Sequence, residues 1–342
     1  MKKNINSGRA FTIVELLVVI SIIAILLALL APALGGVIRR SKKFTETNAL
    51  RNVGQAWILY ANSNAEYVLP GYLEPEMQGT NPGGWDVQYE YPYVPDPTNP
   101  NNPPNVIIDP DIAATWTWRL MPYLSYNHDM IHDHTDEPDR SSMNILEEAE
   151  AIALEPGFGY NAFYVGGWWK EYDVVGQDQK IVRYRFWQAA ADLDGDDNID
   201  DDERAKVVVR SIGQCRRSTE VVVFCSSSKV EPGVYKKWED DQPGSHYVVP
   251  PYLAQEQHWG RAGGGSGGIG GSGGGDTTFS AAAGDFWTVE AFLQTSVPIG
   301  RYTKSSNLLY FDGHTANQAV GVLLDMRNWI DIATTRDFRH NE

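Results

Sequence analysis

Apolar and polar positions divide the chain sharply near its start. Residues 16–38 read LLVVISIIAILLALLAPALGGVI, apolar on every helical face and free of charge. At ~1.5 Å per residue, such a run is long enough to cross a bilayer core of ~30 Å. Beyond it the pattern becomes one-sided. Leu50, Val53, Trp57 and Tyr60 recur at helical spacing, so the helix is expected to continue with one buried face. Its end is expected at Asn62-Ser63-Asn64, a turn-forming cluster. Pro32 and the pair Gly35-Gly36 are places where it can bend or loosen.

The remaining pattern mixes short helices and strands. Residues 70–110 are rich in Pro, Asn, Gly and Tyr and read as a long irregular surface loop. Residues 114–124, ATWTWRLMPYL, read as a short buried element. A helix is expected over 142–154, capped by Ser141 or Ser142. Strands are expected at roughly 206–210, 220–225 and 307–312. Asp312-Gly313 reads as a hairpin turn. Residues 262–275 are almost entirely Gly and Ser and read as a flexible loop without a core. The class this implies is α+β.

Charge sharpens the division. The chain has 342 residues, 42% hydrophobic and 21% charged, which is globular rather than disordered composition. Its net charge is −16, yet the first 43 residues carry seven basic groups and one acid, a net +6. The remainder therefore carries −22. An acidic body repels phosphates, so no nucleic-acid partner is expected for it. It suits divalent cations and solubility outside a membrane.

Lys2, Lys3 and Arg9 precede the apolar run and favour a cytoplasmic N-terminus. Arg39, Arg40, Lys42 and Lys43 follow the run and argue the other way. A secretory signal peptide has an apolar region of only ~7–15 residues. This run is longer, although Ala31-Pro32-Ala33 superficially matches a cleavage site. A plain anchor leaves Glu15 unexplained, because a carboxylate inside an apolar run is costly and needs a partner.

The segment Arg9-Ala10-Phe11-Thr12-Ile13-Val14-Glu15-Leu16-Leu17 resembles the processing site of type IV pilins and type II secretion pseudopilins. The resemblance implies that prepilin peptidase cuts between Ala10 and Phe11 and that the Phe11 amine is then methylated. Glu15 falls at the fifth mature position and Pro32 at the twenty-second, as in the family, while Ala10 stands where glycine is usual. In a bundle of packed helices, the Glu15 carboxylate would pair with the Phe11 amine of a neighbouring subunit, giving each buried charge an opposite partner. The implied fold is a lollipop: leader 1–10, assembly helix 11–62, and a globular head 63–342 built on an antiparallel sheet. The implied function is that of a non-enzymatic structural subunit of a pilus-like filament or secretion pseudopilus. Its partners would be prepilin peptidase, other pilin subunits and the bacterial inner membrane, with the head extracytoplasmic. A membrane-tethered binding module or hydrolase using the same anchor is the alternative.

Within the head, residues 48–55 are similar to a polar-apolar stretch of many pilin-like proteins. Residues 118–124, 157–161 and 307–314 resemble recurrent segments of large pilin-like proteins of planctomycete-type bacteria. Those proteins often carry a histidine ahead of their Asp-Gly pair, at the position that Tyr302 holds here.

One loop carries candidate chemistry. Residues 192–203 place Asp192, Asp194, Asp196 and Asp200 at positions 1, 3, 5 and 9, with Glu203 at 12. This resembles the calcium loop of EF-hand proteins, in which alternate residues present hard oxygens to Ca²⁺. Asn198 would offer its backbone carbonyl, and Asp197 occupies the usual glycine position. His128, His132 and His134 with Asp129 and Asp133 form a second cluster, whose spacing matches no metal motif. His246, His258 and His314 are isolated and read as structural. Cys215 and Cys225 are either one disulfide or two buried thiols. No phosphate-binding glycine loop and no nucleophile motif is present, so no catalysis is expected.

Overall fold

The computed structural model describes residues 12–73, 75, 78, 93–94, 106–107, 110–131, 145–173, 180–184, 207–230, 235–237, 244–253, 256–257, 259–261, 286–289, 295–300 and 305–339. The chain divides into two compact units, Met1–Thr45 and Glu46–Glu342. The division falls inside one long helix, α1 (Ile13–Ser63).

The second unit begins at Glu46 because the end of α1 belongs to its core. Leu50, Val53, Ala56, Trp57, Tyr60 and Ala61 are all buried. They lie on one face, at the spacing read from the sequence. The helix stops where the turn cluster was expected. Asn64 donates its side-chain amide to the Tyr60 carbonyl at 2.7 Å, and the Glu66 amide donates to the Ala61 carbonyl at 2.9 Å. Ala65 and Glu66 then take left-handed backbone angles, φ 52° and 68°, closing the helix without a glycine.

The main sheet is antiparallel. Its order is Thr295–Pro298, Val222–Val230, Ser305–Tyr310, Thr315–Ala319, and Phe158–Tyr160 also pairs with Val222–Val230. The described residues thus mix an N-terminal helix with an antiparallel sheet, as the resemblance implied. A smaller sheet joins Tyr72–Leu73, Trp168–Asp173 and Lys180–Tyr184.

Trp57 ties helix to sheet. Its ring meets Phe311 edge-on at 5.1 Å, and its indole N–H donates to the Tyr160 hydroxyl at 3.3 Å. Tyr160 in turn donates to the Leu69 carbonyl at 2.8 Å. Burying side chains of this size contributes about 1.5–3 kcal/mol each. The Leu309 side chain also comes close to the helix backbone here. A Cβ at Gly54 would fall 2.6 Å from Leu309 Cδ1, so a side chain at that position would displace Leu309.

The residues 118–124 form a helical turn, Thr117–Leu120, followed by a 3-10 turn, Met121–Leu124. Trp118, Leu120, Met121 and Leu124 are buried there. The expected helix over 142–154 is present as Ile145–Leu154. The hairpin turn falls at Asp312-Gly313, where Gly313 has φ +88°.

Two strand expectations change. The 206–210 segment is not a strand over its described part. Val207, Val208 and Val209 are buried, but only Val209 makes a bridge, to Val165. An apolar run of this length is compatible with any buried backbone. The 220–225 strand instead runs Val222–Val230, because Glu220 and Val221 turn back onto the Arg217 carbonyl. Its polar half is buried. Ser226, Ser227 and Ser228 are each wholly enclosed, and two of the hydroxyls have shown partners: Ser227 donates to the Ser245 carbonyl at 2.8 Å, and Ser226 accepts from the Asn307 amide at 3.3 Å.

Candidate assembly site

The described part of the N-terminal site begins at Thr12. Thr12 precedes the first helical residue, and Glu15 lies three positions on. The Thr12 amide donates to Glu15 Oε2 at 2.9 Å, and its hydroxyl donates to the same oxygen at 2.8 Å. The Glu15 amide approaches Thr12 Oγ1 at 3.3 Å. This is a reciprocal capping box, which satisfies amide donors that an α-helix leaves open at its start. The sequence reading assigned Glu15 only to a neighbouring amine. The Thr-x-x-Glu spacing was the signal for this additional, intrachain role. Both bonds that Thr12 donates, from its amide and from its hydroxyl, fall on Oε2. Ala10 and Phe11 lie outside the described residues.

From Ile13 to Leu29 the large apolar side chains of α1 are exposed on all sides; Leu17 is 56% exposed and Ile23 49%. Neither straight part of α1 is alone long and apolar enough to cross a membrane. The parts Ile13–Leu29 and Leu34–Ser63 pass that test together, with a 45° bend between them. Pro32 stands in the intervening stretch, where a missing amide weakens the helical ladder.

A second polar arrangement holds the beginning of the head. Glu46 is buried and accepts from the Asn307 side-chain amide. Thr47 donates to Asn307 Oδ1 at 3.1 Å, and Asn317 donates to the same oxygen at 2.9 Å. Arg51 reaches Thr315 Oγ1 at 3.0 Å. These contacts fasten the helix to the Ser305–Tyr310 and Thr315–Ala319 hairpin. Sequence reasoning missed them, because Glu46 and Asn307 are 261 positions apart. At the hairpin turn, Asp312 Oδ1 accepts the His314 amide at 3.0 Å and meets His314 Nδ1 at 2.5 Å. The imidazole stacks on Tyr310 at 4.3 Å. Partial burial works to raise the Asp312 carboxyl, but the His314 hydrogen bonds and charge outweigh it and hold it below the ordinary value.

Both cysteines are free thiols, so the disulfide left open by the sequence is not formed. Cys225 lies in the sheet opposite Gly159 and Leu308, wholly buried. Burial pushes its thiol well above the usual range, and the Glu46 charge adds to this. Cys215 is pushed up to about 12 by burial and by Asp331, to which it donates at 3.5 Å. Thiols so shifted stay protonated at neutral pH and are poor nucleophiles. Among the described residues no group of three or more His, Cys, Asp or Glu could hold a metal ion. The loop with Asp192, Asp194, Asp196, Asn198, Asp200 and Glu203 lies outside the described residues, as do His132 and His134.

A family model described as the prokaryotic N-terminal methylation motif matches residues 5–31. Neither a curated protein nor a solved structure matches the chain. The match spans Ala10, Phe11, Thr12, Glu15 and most of the apolar run. The chain thus carries a prepilin-type methylation segment at its N-terminus.

Thr12→Val keeps the shape at the cap but removes the hydroxyl. Losing a cap of this kind costs about 0.5–2 kcal/mol. Amide exchange at Glu15, measured by NMR in detergent micelles, is expected to speed up by about two- to thirty-fold. Unchanged exchange would show that the box contributes nothing to the first turn.

Proposed function

We propose that the protein is a structural subunit, a pilin or pseudopilin, of a type IV pilus-like filament or type II secretion pseudopilus, with no catalytic activity of its own. Prepilin peptidase removes residues 1–10 and methylates the Phe11 amine. The subunit then waits in the bacterial inner membrane, N-terminus cytoplasmic and head extracytoplasmic, until it packs with other subunits through α1. The observation that carries this reading is the match of residues 5–31 to the methylation motif. The all-round exposure of the apolar part of α1 supports it, because that surface calls for lipid or neighbouring helices. In the assembled form Glu15 meets the Phe11 amine of a neighbour, while its capping bonds to Thr12 hold the carboxylate in position. We also assign Ca²⁺ to the 192–203 loop, on the spacing of its oxygen ligands.

Glu15→Ala makes the helix more apolar, so membrane insertion is expected to persist. Filament yield, measured by shearing cells and quantifying the released protein, is expected to fall sharply. Wild-type yield from this variant would remove the pairing role.

Calcium is expected to raise the melting temperature of the purified protein relative to EDTA at matched ionic strength. A ligand held only by the folded state adds about 2.7 kcal/mol at one hundred times its Kd. Asp194→Ala and Glu203→Ala are each expected to shrink the shift, and coincident melting curves for the unaltered protein would end the calcium assignment.

A further inference from the structure

Seven basic groups flank the apolar run, and they are not equivalent. Lys2, Lys3 and Arg9 lie in the segment that processing would discard. Arg39, Arg40, Lys42 and Lys43 lie beyond the run and stay with the protein. Processing before Phe11 therefore leaves a helix whose side-chain cations near the apolar run all stand at its far end. That placement runs against the usual preference for basic residues on the cytoplasmic side, and so calls for a separate reason.

The geometry supplies one. Residues 13–38 measure ~39 Å along the helix path, and about 35 Å along the axis of the first part once the 45° bend is taken. This exceeds the ~30 Å hydrocarbon core and approaches the ~40–45 Å that includes the headgroups. The four basic side chains thus begin where the apolar run ends, at the depth of lipid phosphates. Arg39 and Arg40 are exposed, and Lys42 and Lys43 are partly exposed. At 100° per residue they cover one side of the helix rather than a single line. Phe44, on the same turns, is 64% exposed, and Val37 and Ile38 just before are 61% and 48% exposed. An aromatic ring and aliphatic surface beside cationic heads match the boundary between acyl chains and headgroups. No acid occurs between Glu15 and Glu46, so the stretch 16–45 is net positive by sequence.

We propose that Arg39, Arg40, Lys42 and Lys43 form a collar that binds anionic phospholipid headgroups in the leaflet on the head side of the membrane. The arginines offer planar paired donors to phosphate and the lysines act as point charges. The collar holds the processed subunit at a fixed depth, and those headgroups must be released before the helix leaves the bilayer. This rests on the membrane-anchored reading above.

The test uses the full chain in lipid nanodiscs, with Lys2, Lys3 and Arg9 changed to Gln so that the leader contributes no charge. Spin-labelled phosphatidylglycerol and phosphatidylcholine report how strongly each lipid associates with the protein. A basic group near an anionic surface is worth roughly five-fold in binding. Phosphatidylglycerol is expected to be favoured by about five-fold or more, and the preference is expected to shrink with added salt. Adding R39Q, R40Q, K42Q and K43Q is expected to equalise the two lipids, while R39K with R40K retains most of the preference. Incorporation into nanodiscs without any preference would overturn the collar alone. A preference that survives the fourfold change would overturn it too. If the collar instead binds the acidic body of a second copy, the fourfold change would abolish subunit crosslinking while lipid selectivity was already absent, which also overturns it. Failure of the chain to enter nanodiscs at all would overturn the membrane anchor, and the collar with it.

Discussion

One helix has to satisfy two different surroundings, and the rest of the architecture follows from that. Over its first part α1 is apolar all round, with its large side chains exposed. From Leu50 onward only one face is apolar, and that face is buried in the head. A helix hydrophobic on every side needs lipid or other helices around it, while an amphipathic one needs a single partner surface. The basic stretch and Glu46 fall between these two regimes. Glu15 is the one acid of the apolar part, and its bonds with Thr12 use the helix's own open amides to hold it.

The head answers the second regime with a sheet fitted to the helix. Trp57, Tyr160 and Leu69 form a chain of hydrogen bonds through the core, and Phe311 closes on the Trp57 ring. Gly54 lets Leu309 approach the helix. At the entry to the head, Glu46, Thr47, Asn307 and Asn317 form a polar network that would be costly to bury unpaired. Those bonds fix which hairpin residues face the helix. The same sheet encloses Cys225, and Cys215 meets Asp331, so both thiols stay protonated at neutral pH.

What was legible in the sequence was local. Helical spacing from Leu50 to Tyr60, the turn cluster at Asn62-Ser63-Asn64 and the Asp312-Gly313 turn depend on neighbours within a few positions, and each is found where the pattern placed it. The buried valines at 207–209 read as a strand because apolarity reports burial, not ladder pairing. Ser226, Ser227 and Ser228 concealed the second half of a central strand, since the Ser227 and Ser226 hydroxyls are paired with distant Ser245 and Asn307. The Glu46–Asn307 contact has no local signature at all. At the candidate site, Glu15 was conspicuous as a lone charge beside an apolar run, whereas its tie to Thr12 needed the cap geometry. The 192–203 loop remains a reading of ligand spacing alone.

The central claim is that this helix is made by trimming at Ala10–Phe11 and not by ordinary signal removal. Intact-mass analysis and N-terminal sequencing of protein extracted from the native membrane test it most directly. The account predicts loss of the first ten residues and an added methyl group on Phe11. An N-terminus at Met1, or one beyond Ala33, would contradict it.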